Sequence, residues 1–86
     1  MGKVSVTIRV LPDNVDIDLE SIADEIKKIM PANVQFRGYQ ISDIAFGLKA
    51  LLFNILAEDE GVEELNSEIE KIKGVGSVEV VDLTLI

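Results

Sequence analysis

Cysteine and histidine are both absent from this chain of 86 residues. Without them there are no disulfides, no thiolate or imidazole metal sites, no thiol nucleophile and no serine–histidine relay. A reducing, intracellular setting, the cytoplasm, suits such a chain. Positive charge is scarce: 8 Lys and Arg stand against 16 Asp and Glu, a formal net charge of −8. That field repels phosphate backbones, so nucleic acid is not expected as a direct partner, whereas a protein with a basic surface is. No apolar run reaches about 18 residues, the length that a membrane-spanning helix needs. The stretch from Met1 to Arg9 alternates apolar and polar residues, so it is not expected to act as a signal peptide. Low-complexity segments and linkers are missing too. A chain of 86 residues makes one domain, here residues 1–86, with a modest core.

What is present is regular. From Lys3 to Leu11, Val4, Val6, Ile8 and Val10 alternate with Lys3, Ser5, Thr7 and Arg9, the period of a half-buried strand. Pro12-Asp13-Asn14 ends it, and Asp16 or Asp18 caps a helix. Leu19, Ile22, Ala23, Ile26, Ile29 and Met30 follow helical spacing, with acids early and Lys27 and Lys28 late, until Pro31. A second strand spans Asn33 to Ile41, and its apolar positions change parity after Gly38, the mark of a bulge or bend. A third runs from Leu48 to Ala57. After the acidic turn Glu58-Asp59-Glu60-Gly61, Val62, Leu65, Ile69 and Ile72 mark a second helix, closed by Gly74, and Val75 is placed to pack on Ile69. The last strand, Ser77 to Leu85, also slips: Val78 and Val80 fall on one face, Val81, Leu83 and Leu85 on the other. The order β-α-β-β-α-β predicts an α+β, ferredoxin-like sandwich, with a four-stranded antiparallel sheet and two helices on one face.

Reactive chemistry is hard to assemble from this set. The groups left are carboxylates, Lys3, Lys49, Tyr39 and serines. Glu58 to Glu64 reads either as a solvated acidic face or as a divalent-cation site, but lacks the alternating ligands and closing Glu of a calcium loop. Gly74-Val75-Gly76 is a helix cap followed by a strand entry rather than a phosphate loop, because no GxxxxGK[ST] or GxGxxG is present. The expectation is therefore a binding protein rather than an enzyme, with no cofactor and no resident metal.

Two segments are more specific. Asp43 to Leu51 reads D-I-A-F-G-L-K-A-L, and Lys73 to Asp82 reads K-G-V-G-S-V-E-V-V-D. Together with the V-x-V-x-I-x-V strand and its P-D, they resemble the guanine nucleotide exchange domain family of elongation factor 1-beta and 1-delta, in its archaeal form, over essentially the whole chain. In eukaryotic relatives the first segment runs like P-V-G-[FY]-G-I-K-K-L. The resemblance implies a nucleotide exchange factor that binds elongation factor 1-alpha, the GTPase delivering aminoacyl-tRNA, and promotes release of GDP so that GTP enters. It implies no bond chemistry and no tightly bound small molecule in the factor itself. Carried over, Phe46 presses on the GTPase from the central hairpin, with Ile44, Ala45 and Gly47 shaping the turn and Lys49 meeting an acidic group. The alternative for Phe46 is a ring folded down onto the sheet, and for Lys49 a solvated strand position.

Two positions depart from the eukaryotic pattern. Leu85 stands where those relatives carry a penultimate lysine that disturbs the GTPase's magnesium site. Either another group displaces that ion, or exchange works on backbone and switch elements. Asp43 replaces the proline of the motif. Two readings outside this family share the same plan. One is a regulatory module binding a small molecule such as an amino acid at a dimer interface, and the other is an interaction subunit without exchange activity.

Overall fold

The computed structural model describes residues 3–32, 34–45, 47–58 and 62–85. Phe46, the Asp59–Gly61 part of the acidic turn and Asn33 lie outside the described residues. The elements are β1 (Lys3–Pro12), α1 (Leu19–Ile29), β2 (Gln35–Ala45), β3 (Leu48–Glu58), α2 (Val62–Glu70) and β4 (Val75–Leu85). The four strands form one antiparallel sheet in the order β2-β3-β1-β4. The order β-α-β-β-α-β and the helix layer on one face are as the sequence predicts.

Side-chain periodicity explains the layering. Val4, Val6, Ile8 and Val10 pair directly with Ala57, Ile55, Phe53 and Leu51, so all eight share one face. All are at most 1% exposed. Leu19, Ile22, Ala23 and Ile26 of α1 and Val62, Leu65 and Ile69 of α2 join them in one core cluster, with Val34 and Val75. Asp18 rather than Asp16 is the α1 cap: its carboxylate accepts from the Glu20 amide at 3.1 Å and from the Ser21 hydroxyl at 3.1 Å. The rings of Phe36 and Phe53 stack, with centroids 5.7 Å apart, and the Lys27 ammonium lies 5.6 Å from the Phe36 centroid and 5.1 Å from that of Tyr39.

Both parity slips are β-bulges, but the second has a different outcome from the expected one. In β2 the register shifts between Phe36 and Gly38, leaving Arg37 as the extra residue, and Phe36, Tyr39 and Ile41 all face the helix layer opposite Ile55, Phe53 and Leu51. In β4 the shift falls between Thr7 and Ile8, where Val81 is the extra residue. Val78 and Val80 pair with Val10 and Ile8, and Leu83 and Leu85 pair with Val6 and Val4. All four therefore lie on the helix side, and the expectation that Leu83 and Leu85 turn to the opposite face is corrected. The bulge restores the phase that a two-residue period would have lost.

Element ends also shift. β2 continues to Ala45 instead of stopping at Ile41, because Ser42 and Asp43 keep pairing with Ala50 and Lys49. The Asp43–Ala45 segment is strand, not turn. The helix-free face is mixed: beside Leu11, Leu52 and Leu56, the Asn54 amide donates to the Val6 carbonyl at 3.0 Å and to the hydroxyls of Thr7 and Ser5 at 3.2 and 3.3 Å. Arg9 pairs with Glu79 across β1 and β4 on that face.

Candidate functional site

Antiparallel pairing collects four features at one end of the sheet. There β1 finishes at Pro12, β4 begins at Val75, β2 ends at Ala45 and β3 starts at Leu48. The β1–α1 loop, the α1 N-terminus and the α2–β4 connection share this end.

The hairpin is built tightly. Ala45 pairs with Leu48 after a second register shift, which leaves Ile44 as the extra residue of β2. Gly47 has φ +80°, a region that L side chains rarely adopt, and a Cβ there would meet no atom within 4 Å. Backbone conformation, not space, is what asks for glycine. The flanks are apolar and open: Ile44 is 49% exposed and Leu48 37%. Both are strand residues flanking the turn, and their exposed side chains make the hairpin end an apolar surface feature.

Lys49 is exposed and stands opposite Asp43 across the ladder. Among the described residues the ion pairs are Arg9–Glu79, Lys28–Glu25 and Lys71–Glu68, so Lys49 takes no part in them. No group of three or more acidic residues suited to holding a metal ion is found among the described residues.

Of the residues singled out in the sequence, Ile44, Ala45, Gly47 and Lys49 come together at the hairpin end. Leu85 does not join them. It pairs with Val4, which pairs with Ala57 at the far end of β3. Val15 is the residue that sequence reasoning missed: it sits in the β1–α1 loop at the hairpin end and is 61% exposed. Its signal was an apolar side chain inside the otherwise polar run D-N-V-D.

The class defined by this architecture is a two-layer α+β sandwich with ferredoxin-like order, carrying an apolar hairpin end. Among solved structures it is similar to the ACT domain from the GTP pyrophosphokinase of Chlorobium tepidum, with a TM-score of 0.66 at 16% identity, over 92% of this chain and 99% of that one. It is also similar to BlrP1 BLUF, with a TM-score of 0.60 at 17% identity, over 100% of this chain and 56% of that one. Both likenesses concern the fold alone.

Sequence comparison decides the family. The chain belongs to the EF-1 guanine nucleotide exchange domain family, whose model matches residues 5–86. It is 42% identical over 83 residues to elongation factor 1-beta of Staphylothermus marinus, covering 93% of this chain and 92% of that protein. It is 43% identical over 88 aligned positions to elongation factor 1-beta of Archaeoglobus fulgidus, covering both in full. Over 87 positions it is 40% identical to elongation factor 1-beta of Thermofilum pendens.

Proposed function

We propose that this chain is a guanine nucleotide exchange factor for elongation factor 1-alpha, promoting release of GDP and its replacement by GTP during translation elongation in the cytoplasm. The observation that carries the reading is the exposed apolar hairpin end, Ile44 and Leu48 around Gly47, in a chain of the exchange-domain family.

Exchange of this kind asks for contact, not for bond chemistry. A factor that binds the nucleotide-free GTPase more tightly than the GDP form shifts the population toward release. The coupling is reciprocal, so GDP weakens factor binding by the same ratio. A thousandfold weakening of GDP corresponds to about 4 kcal/mol of differential contact. One or two well-buried apolar anchors supply energies of that order, ~2 kcal/mol or more each. In this reading Phe46 is the anchor, Ile44, Ala45 and Gly47 set the turn, and Lys49 meets an acidic group of the GTPase. Leu85 offers an apolar contact at the opposite end of the sheet, in place of the lysine that the eukaryotic relatives carry at that position. Either another group displaces the GTPase's magnesium ion, or exchange works through backbone and switch displacement. Nucleic acid is not a direct partner in this reading: the net charge of −8 opposes it.

The test is release of labelled GDP from archaeal elongation factor 1-alpha. The wild-type chain should accelerate release at substoichiometric amounts, and Phe46→Ala should reduce the stimulated rate without lowering the unfolding midpoint. An unchanged release rate with the wild-type chain would falsify the reading, and an unimpaired Phe46→Ala would remove the hairpin from it.

A further inference from the structure

A groove runs between the hairpin and the β1–α1 loop. Val15, Ile17, Leu19 and Ile41 form its apolar floor and wall beside Pro12, and the Asp18 carboxylate and, with Gly47 at the hairpin side, the Lys49 ammonium make its rim charged. We propose that this groove receives an apolar side chain of the GTPase, with Val15 as a contact residue on its wall, and that Gly74 and Gly76 hold that wall in place. The proposal rests on the exchange-factor reading and adds to it a second contact surface.

Size selects the occupant. The groove encloses about 230 Å³. Small-molecule sites enclose about 300–1,000 Å³, so this one suits one or two side chains of a protein. Charge points the same way: at −8 the chain repels phosphate groups and anionic lipid surfaces. Continuity ties the groove to the hairpin, since Gly47 and Lys49 belong to both. A partner seated on the hairpin end therefore reaches the groove without crossing other surface.

Val15 does not earn its exposure by packing. Helix α1 is capped by Asp18, and the loop closes on itself through Asn14, whose side-chain oxygen accepts from the Asp16 amide at 2.9 Å and whose carbonyl accepts from Ile17 at 3.4 Å. At 61%, Val15 is more exposed than every other large apolar residue described except Leu85. Ile17 and Leu19 lie deeper, half-buried and buried.

The K-G-V-G segment supplies the clamp. The Asp13 amide donates to the Gly74 carbonyl at 2.8 Å, joining the loop to the α2–β4 connection. A Cβ on Gly76 would stand 2.8 Å from the Pro12 carbonyl oxygen, 3.1 Å from its carbon and 3.3 Å from the Asp13 nitrogen. All three atoms are backbone, so any side chain at 76 pushes the start of the loop outward. A Cβ on Gly74 would come within 3.3 Å of two Ile17 side-chain atoms. The two glycines thus set where Val15 and Ile17 sit, and a wall held in advance costs less ordering when a partner docks. Gly76 acts as a positioning residue.

The experiment titrates wild-type, Val15→Asp, Val15→Leu and Gly76→Ala chains against archaeal elongation factor 1-alpha, reading stimulated GDP release as a function of factor concentration. Val15→Asp should raise the half-saturating concentration roughly tenfold or more, as losing a buried apolar contact does, with the maximal rate kept. Its unfolding midpoint should stay at the wild-type value, and Val15→Leu, which keeps an apolar contact, should raise the half-saturating concentration far less than Val15→Asp. Gly76→Ala should raise the half-saturating concentration in the same manner, at some cost in stability. Wild-type half-saturation for Val15→Asp overturns the groove while leaving the exchange-factor reading intact. A Gly76→Ala chain that is less stable but keeps wild-type half-saturation overturns the clamp. A wild-type chain that does not stimulate release overturns the exchange-factor reading, and this proposal with it.

Discussion

Lys49 and Leu85 stand at opposite ends of the sheet. Lys49 pairs with Asp43 at the hairpin end of β3, whereas Leu85 pairs with Val4, whose other neighbour is Ala57 near the far end of the same strand. The span from Lys49 to Ala57 is about 26 Å at roughly 3.3 Å per residue, well inside the 41 Å long axis of the molecule. If both residues contact the GTPase, the contacts are separate. Lys49→Glu and Leu85→Ala should then weaken binding by amounts that add to within about 0.3–0.5 kcal/mol in the double variant, as measured by exchange titrations of the four chains. Non-additive losses would mean that one of the two acts through the fold.

Gly47 is held at φ +80° with open space around its missing side chain. Gly47→Val should therefore cost stability through backbone strain alone, about 1–2 kcal/mol, read as a lower urea midpoint. The same variant should lower stimulated GDP release by more than its loss of fold explains, because the turn carries the proposed anchor.

Phe53 is 1% exposed, stacks on Phe36 and belongs to the core cluster that both helices cover. Phe53→Ala should destabilise the chain by about 3–5 kcal/mol, the range for removing a fully buried ring, measured by denaturant unfolding. Phe53→Leu should cost much less, since most of the apolar volume stays.

Val81 is the extra residue of the β4 bulge. Deleting it should force β4 to choose between its two halves: either Leu83 and Leu85 turn to the helix-free face, or the pairing of Val78 and Val80 with β1 is lost. Thermal unfolding should fall sharply for the deletion, while Val81→Thr, which keeps the residue count, should change it by no more than about 0.5 kcal/mol.

Much of the architecture was legible because each element carries its own signal. The alternation of Val4 to Val10 marks a strand, and Leu19 to Ile26 a helix, whatever surrounds them. Gly38 announced the β2 bulge by a parity change that the register confirms. The parity change at Val81 was just as visible, but its consequence was not: a bulge and a face switch leave the same mark in the sequence, and only pairing with β1 tells them apart. The hairpin end was located by the F-G-L-K run, although the strand proved to continue through Asp43 to Ala45, because a ladder persists wherever partners remain opposite. Val15 went unnoticed because an isolated apolar residue in a loop has no periodicity to give it meaning.

The sequence by itself determined the strand and helix order, the face that β1, β3 and both helices bury and the missing reactive groups, since these follow from side-chain spacing and residue type. Tertiary structure alone decided which distant segments meet. It placed Val15, Gly47, Lys49 and Gly76 at one end and Leu85 at the other, because antiparallel pairing fixes strand ends by register, and register is a relation between segments that no single segment contains.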